Sequence, residues 1–359
     1  MIKHILIIIQ RSNGDVLLSL PLINALFEYY NSPKIDLLVN DDTSPLAQLL
    51  PNINLIYEFS YQKKKDQRYK QEKKLVKNIF RKYDLSINLT SSDRSVIYAL
   101  LASKKSISAV EKEVKKSWWK KLFLKHYYHF DFTNHILRNN LQSLHSLGIQ
   151  HSNILPKLRV SSSAIDKVED FLKDRNIKNF IIFHPSAQYQ YKIYSETLRN
   201  ELLQKLNTLG ITIIVTGGHN EIDSEIKLSL QSMTNIVDMI GETSLEEYIA
   251  FSQLSKAYIG MDTLNMHIAA LQNKRIFAIF GPTILSMWSP WSNELKESAT
   301  KNIPLQTYGN ITIFQANMDC VACGKAGCNG NGVSECLKNI NPNTVFEEVS
   351  NWYNKSFSK

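Results

Sequence analysis

A chain of 359 residues with 43% hydrophobic and 21% charged residues is too long for one ordinary core and too apolar for disorder, so roughly two globular domains are expected. The longest early apolar run, Ile5 to Ile9, is far too short to cross a bilayer and has no small-residue cleavage site after it, so the protein is expected to be cytoplasmic. The formal net charge of +9 points to anionic partners, such as nucleic acid, acidic lipid or a phosphorylated substrate.

Taken in order, Ile5 to Ile9 reads as a first buried strand. It runs into Ser12-Asn13-Gly14-Asp15, a turn signal, and then into an apolar helix from Val16 to Leu26. Asp15 is a candidate N-cap for that helix. It also stands at the carboxyl end of a strand, where open α/β sheets place their ligands. No G-x-G-x-x-G fingerprint is present, which removes the best support for a dinucleotide-dependent hydride transfer.

Strand and helix patterns then alternate. Ile35 to Val39 and Asn54 to Tyr57 are strands, with a short helix at Pro45 to Leu50 between them. Gln67 to Tyr83 is a charged helix, and Leu85 to Leu89 is a fourth strand. Such alternation predicts a parallel, helix-covered sheet.

Lys112 to Phe132 departs from the rhythm, mixing bases and aromatics in Lys115-Lys116-Ser117-Trp118-Trp119-Lys120-Lys121 and Tyr127-Tyr128-His129-Phe130. Its simplest reading is a basic amphipathic helix packed by its tryptophans. Binding near a lipid headgroup layer comes next, and nucleic acid last. Asn134 to Leu147 is helical, Leu155 to Val160 extended, and Ser161-Ser162-Ser163 marks the joint and caps a helix from Ala164 to Arg175. The expected domains are therefore 1–160 and 161–359, with the last helix, about 342–355, packing back on the first domain.

A second alternating series follows. Asn179 to Phe183 and Thr212 to Thr216 are strands, ending in His184-Pro185-Ser186-Ala187 and Gly217-Gly218-His219-Asn220-Glu221. Helices at Glu196 to Leu209, Asp223 to Ser232 and Leu245 to Leu254 surround them, with a strand at Ile236 to Met239. Ala257 to Ile259 is a further strand, broken by Gly260. Asp262 and Thr263 are N-cap residues for an apolar helix from Met266 to Leu271. A helix N-terminus at the end of a strand suits a phosphate. Arg275 to Phe280 and Gly281-Pro282-Thr283 repeat the strand-and-turn pattern.

These motifs together resemble glycosyltransferase family 9, the bacterial lipopolysaccharide heptosyltransferases. The resemblance rests on Ser12 to Pro21, Asp262 to Ala270 and Phe280 to Thr283, in order and at this separation. The tail, from Trp288 to Asn293 with Cys320, Cys323 and Cys328, is most similar to the third-heptose branch. The resemblance implies a GT-B fold, two Rossmann-like domains with parallel sheets facing across a cleft. The acceptor would bind the first domain and the nucleotide sugar the second. It implies inverting, metal-independent transfer from ADP-L-glycero-D-manno-heptose to a hydroxyl of the lipopolysaccharide or lipooligosaccharide inner core, at the cytoplasmic face of the inner membrane. No cofactor and no nucleic acid are implied.

Asp15 would be the catalytic base, with Ser12, Asn13 and Gly14 on the acceptor side. Lys192 and Thr263 would hold the phosphates. Asp262 would touch the donor sugar or order its loop, and Glu221 would take the nucleotide ribose. His267 would reach the phosphates or be a buried structural histidine. Leu264 stands where the family usually has glycine, and Asn13 where it usually has an apolar residue. Two other functions stay open: a non-catalytic sugar- or lipid A-binding protein derived from such an enzyme, and a transferase using another nucleotide sugar. The four cysteines, Cys320, Cys323, Cys328 and Cys336, are spaced to bind structural zinc or to remain reduced structural thiols.

Overall fold

The computed structural model describes residues 2–151, 156–230 and 233–357. Leu155 and Ser232, the ends of two expected elements, lie outside the described residues. The chain divides into two units, Met1–Arg159 and Val160–Lys359, each built on its own sheet.

The first sheet has six strands: β1 (His4–Ile9), β2 (Lys34–Asn40), β3 (Leu55–Phe59), β4 (Leu85–Asn88), β5 (Ser106–Val110) and β6 (His126–His129). All pair in parallel, in the order β3-β2-β1-β4-β5-β6. Ile5 to Ile9 are buried along their whole length because helices cover both faces of a parallel sheet. The sequence pattern did not reveal β5 and β6. Ser106-Ile107-Ser108-Ala109-Val110 carries two serines that are nonetheless fully buried, and Ser108 Oγ accepts a hydrogen bond from Asn88 at 2.9 Å.

Three local expectations are corrected. The apolar helix after β1 is two helices, Asn13–Leu17 and Leu20–Tyr29. Ser19 ends the first by donating to the Val16 carbonyl at 2.7 Å, and Pro21 favours a fresh start in the second. Asp15 is not the N-cap of the first: Ser12 holds that position, and Asp15 is the third residue of the helix. The basic stretch at 112–132 forms the expected helix only over Val114–Phe123, with Trp118 exposed rather than packing it, and β6 follows.

The second sheet contains β7 (Phe180–His184), β8 (Thr212–Gly217), β9 (Ile236–Ile240), β10 (Ala257–Met261), β11 (Arg275–Ile279), β12 (Leu305–Tyr308) and β13 (Ile311–Phe314). Their order is β12-β13-β11-β10-β7-β8-β9, parallel except for the β12–β13 hairpin. Read from β9, the first five repeat the 3-2-1-4-5 order of the first unit. This is the doubly wound Rossmann arrangement in both units. The last helix, Pro342–Phe357, was expected to return to the first domain. Its apolar face is instead buried in the second core, where Val345 and Val349 are fully enclosed.

Gly260 does not break β10. The strand runs through it to Met261, and Gly260 pairs with His184 of β7. A Cβ at this position would stand 2.3 Å from the His184 carbonyl oxygen, so only glycine lets the two strands meet. Gly260→Ala is expected to destabilise the protein by about 2 kcal/mol or more, through forced strand separation. Urea unfolding measures it; a loss under about 0.5 kcal/mol would show that the strands can part cheaply.

Candidate active site

Both units place their chemistry at the point where strand order reverses. In the first, that point lies between β1 and β4. The chain leaving β1 turns at Arg11 and Ser12 and enters the short helix that carries Asp15. Asp15 is only 3% exposed. Its Oδ2 accepts from the Ser12 hydroxyl at 2.7 Å and from the Ser12 backbone N–H at 3.2 Å. Arg11 Nε lies 2.8 Å from Oδ1. That contact is ionic rather than a directed hydrogen bond, so Oδ1 keeps an open lone pair. Arg11 in turn sits 4.9 Å over the Phe130 ring. Burial raises the Asp15 pKa above its ordinary value, and Arg11 and the two Ser12 hydrogen bonds only partly oppose this. The result is a carboxylate with one oxygen anchored by Ser12, the other buried against Arg11 without a directed hydrogen bond, and raised basicity. Ser12 is exposed beside it, and Asn13 and Gly14 are half-buried in the same turn.

In the second unit the reversal lies between β7 and β10. Asp262 and Thr263 follow β10 directly. Lys192 ends a single helical turn, Gln190–Lys192, in the connection after β7. The two connections meet: Lys192 Nζ lies 2.8 Å from Asp262 Oδ2. Burial alone would lower the lysine's pKa, but the charge and hydrogen bond of Asp262 outweigh it and hold the pKa above the ordinary value. Lys192 therefore stays a cation in a largely enclosed place.

Beside this pair begins the helix Leu264–Leu271. Thr263 occupies the N-cap position with extended backbone but makes no side-chain cap bond, so the leading N–H groups of the helix remain for a ligand. Asp262 is not a cap; its carboxylate belongs to Lys192. Leu264 has ordinary helical backbone without positive φ, so the position does not require the glycine usual in its relatives. His267 lies one turn further on. Burial pushes its pKa down to about 4, Asp262 raising it and Lys192 lowering it further, so the ring is neutral. Its Nδ1 is buried without a hydrogen-bond partner.

His184 and Asn265 join this cluster, and sequence reasoning did not single out either as a site residue. Asn265 Nδ2 lies 3.0 Å from His184 Nδ1, which is also 3.0 Å from Thr216 Oγ1. Burial holds the His184 pKa at about 4. The signal was present, since His184 ends a strand just as Asp262 follows one. Glu221 is not brought into the Lys192–Asp262 contact. It opens the helix Glu221–Ser229 at the end of β8, exposed, on the same sheet edge one strand beyond β7. Asn220 caps that helix by accepting from Asp223 N–H at 2.9 Å.

Among the described residues no group of three His, Cys, Asp or Glu is placed to hold an ion, yet Cys328, Cys323 and Cys320 all lie near enough to Cys336 to add to the rise of its thiol pKa. Cys320 and Cys323 are exposed and Cys336 is buried, its thiol pushed up to about 11 chiefly by burial. A thiol in that state stays protonated near neutral pH.

Two Rossmann-like units, one offering a buried carboxylate and the other a fixed cation at an open helix end, define a glycosyltransferase of the GT-B class. Residues 72–312 match the family described as glycosyltransferase family 9 (heptosyltransferase), and the chain belongs to that family. Lipopolysaccharide heptosyltransferase 3 of Escherichia coli is 26% identical over 300 residues, covering 80% of this chain and 86% of the relative. Lipooligosaccharide heptosyltransferase 2 of Campylobacter jejuni is 23% identical over 347 residues, covering 94% and 95%. Among solved structures, a glycosyl transferase family 9 protein of Veillonella parvula superposes with a TM-score of 0.76 at 18% identity, covering 98% and 97%. ADP-heptose lps heptosyltransferase II of E. coli superposes with 0.73 at 19% identity, covering 98% and 99%.

Asp262→Asn removes the charge that keeps Lys192 protonated. In the wild type, the raised lysine pKa contributes stability that is complete at neutral pH and lost as pH rises through that pKa. In the variant, burial, the largest of the influences on Lys192, is opposed only by the weaker effects of Tyr191 and Tyr189, and the pKa falls below its unfolded value. The charged lysine then costs stability at neutral pH, and the cost disappears as pH rises. The expected loss is about 1–3 kcal/mol near neutrality, shrinking towards alkaline pH. Thermal unfolding across pH checks it; a deficit independent of pH would reject the electrostatic account.

Proposed function

We propose that this glycosyltransferase moves a heptose from ADP-L-glycero-D-manno-heptose to a hydroxyl of the lipopolysaccharide or lipooligosaccharide inner core, with inversion. The observation that carries the donor half is the Lys192–Asp262 pair beside the open N-terminus of Leu264–Leu271. As the glycosidic bond breaks, negative charge gathers on the departing diphosphate. A fixed cation and helix N–H groups stabilise that charge without reorganising, the work a divalent cation would otherwise do. We therefore read the reaction as metal-independent.

Asp15 acts on the acceptor. Its Oδ1, which carries no directed hydrogen bond, takes the proton of the attacking hydroxyl, the hydroxyl oxygen bonds to the anomeric carbon from the face opposite the phosphate, and ADP leaves with the bonding pair. Its raised pKa improves it as a base, and Ser12 and Arg11 hold it in place. Ser12, Asn13 and Gly14 border the acceptor hydroxyl. In the second unit Thr263 contacts the phosphates, and neutral His267 donates a hydrogen bond to them rather than a charge. Asp262 keeps Lys192 protonated and placed. Glu221 takes the ribose hydroxyls from the neighbouring strand end. The acceptor is lipid-anchored, so the reaction belongs at the cytoplasmic face of the inner membrane. Among the described residues no helix is long and apolar enough to cross it, and the association is peripheral.

Asp15→Asn is expected to slow transfer by roughly a hundredfold to ten-thousandfold while leaving ADP-heptose binding intact by calorimetry. Full turnover in that variant would remove Asp15 as the base. In the wild type, kcat/KM should rise with pH through an apparent pKa above the usual carboxylate range, because the base works only when deprotonated. Lys192→Ala should weaken donor binding and lower kcat by about a hundredfold or more; unchanged kinetics would reject its role. Calorimetry comparing ADP-heptose with UDP-glucose tests the donor itself, and preference for UDP-glucose would remove the heptose while keeping the fold and mechanism.

A further inference from the structure

The helix Val114–Phe123 is packed the wrong way round for an ordinary surface helix. It buries Ser117 and Lys120, with Leu124 just beyond its end, at 0%, 1% and 5% exposure. It turns Trp118, Leu122 and Phe123 outward at 62%, 71% and 65%. Burying one side chain of Lys120 type is costly unless it is fully paired. Here it is: Lys120 Nζ donates to the Ser91 carbonyl at 2.6 Å and lies 2.8 Å from Glu111 and 2.9 Å from Asp93. Four oxygens, the Ser91 carbonyl, both of Glu111 and one of Asp93, from two neighbouring connections thus clamp the helix in this rotation. The outward apolar stripe is enforced by the fold, not left by loose packing.

The outward face has a definite composition. Lys115, Trp118 and Leu122 fall at helical spacing on one stripe, and Lys121 and Lys125 flank it. None of these three lysines has a carboxylate partner among the described residues; Lys121 lies 5.7 Å over the Tyr127 ring, itself exposed. Phe132, beyond β6, is also 63% exposed. It packs at 5.0 Å on Phe130, whose other neighbour is Arg11, the partner of Asp15. Phe132 is thus linked to Asp15, the residue proposed as the base, through Phe130 and Arg11 in turn.

We infer that this face is a docking surface for an anionic lipid bilayer, with Trp118, Leu122 and Phe123 entering the headgroup layer and Lys115, Lys121 and Lys125 meeting its phosphates. Unpaired lysines around an apolar centre are the composition that interfacial helices use, and each basic residue near an acidic membrane adds to the attraction. A second copy of this chain fits worse, since a two-fold interface would set these lysines against their own counterparts. Nucleic acid fits worse too, because Leu122 and Phe123 offer hydrocarbon at the most exposed points where a phosphate backbone needs charge. The inference deepens the function proposed above by naming the surface through which a lipid-anchored acceptor is reached, and rests on that reading for its purpose alone.

The test is co-sedimentation of the full-length protein with phosphatidylcholine vesicles, with and without phosphatidylglycerol. Binding to the acidic vesicles is expected, weakened by salt. Trp118→Ser with Leu122→Ser should weaken it about tenfold or more, and Lys115→Glu with Lys121→Glu should do the same and remove the salt dependence. Both double variants should keep wild-type ADP-heptose affinity and turnover on a deacylated, soluble acceptor, while losing turnover on acceptor embedded in vesicles. Binding no tighter than to neutral vesicles, undiminished binding by the variants, or displacement of the vesicles by a single-stranded oligonucleotide would overturn the proposal. A wild-type protein that sediments with acidic vesicles yet uses neither acceptor would sink the transferase reading and leave this surface standing.

Discussion

In each sheet the chain order reverses once, between β1 and β4 in the first unit and between β7 and β10 in the second. Parallel strands require right-handed crossovers, so at the reversal successive connections leave for opposite faces and a gap opens at the carboxyl ends. Every residue with a role in the proposed chemistry, apart from Glu221, sits at one of these two gaps. Asp15 follows β1, Lys192 follows β7, and Asp262, Thr263 and Asn265 follow β10, with His184 the last residue of β7. The closeness of β7 and β10 at Gly260 makes the second gap narrow enough for two separate connections to share an ion pair.

The two half-sites use opposite electrostatic strategies. Asp15 is desolvated and only partly compensated, which raises its affinity for a proton. Lys192 is desolvated and fully compensated by Asp262, which secures its charge. The base and the phosphate cation proposed above would need these opposite treatments, and the same burial supplies both, because the partner decides the sign of the outcome. His267, without a compensating carboxylate of its own, loses its charge altogether.

How much was legible depended on whether a residue's role is local. The first strand, the motif around Asp15 and the strand–turn–helix at Asp262 were readable because apolar runs and turn residues adjoin in the chain. Strands β5 and β6 were not, since Ser106 and Ser108 look solvent-facing until Asn88 of a neighbouring strand pairs with Ser108. Gly260 looked like a stop, because a glycine at a strand end and a glycine that permits close strand contact are the same letter. Asp15 and Asp262 were both read as caps. Ser12 displaced the first from that position, and Lys192, seventy residues away in sequence, claimed the second.

The sequence by itself determined that the chain is a two-domain, doubly wound α/β protein of glycosyltransferase family 9, because hydrophobic period and motif order are local and one-dimensional. The tertiary structure alone decided which polar side chains meet and with whom: Lys192 with Asp262, Lys120 with Glu111 and Asp93, and neutral His184 with Asn265. It also decided that Trp118 and Leu122 face outward while Lys120 faces in. Pairing across distant connections, and the rotation of a helix about its axis, are set by the energy of the whole assembly. Lys192 and Asp262 stand seventy residues apart, and even Lys120 and Glu111 stand nine apart, off any helical or strand neighbour spacing, so no local pattern announced the pairs.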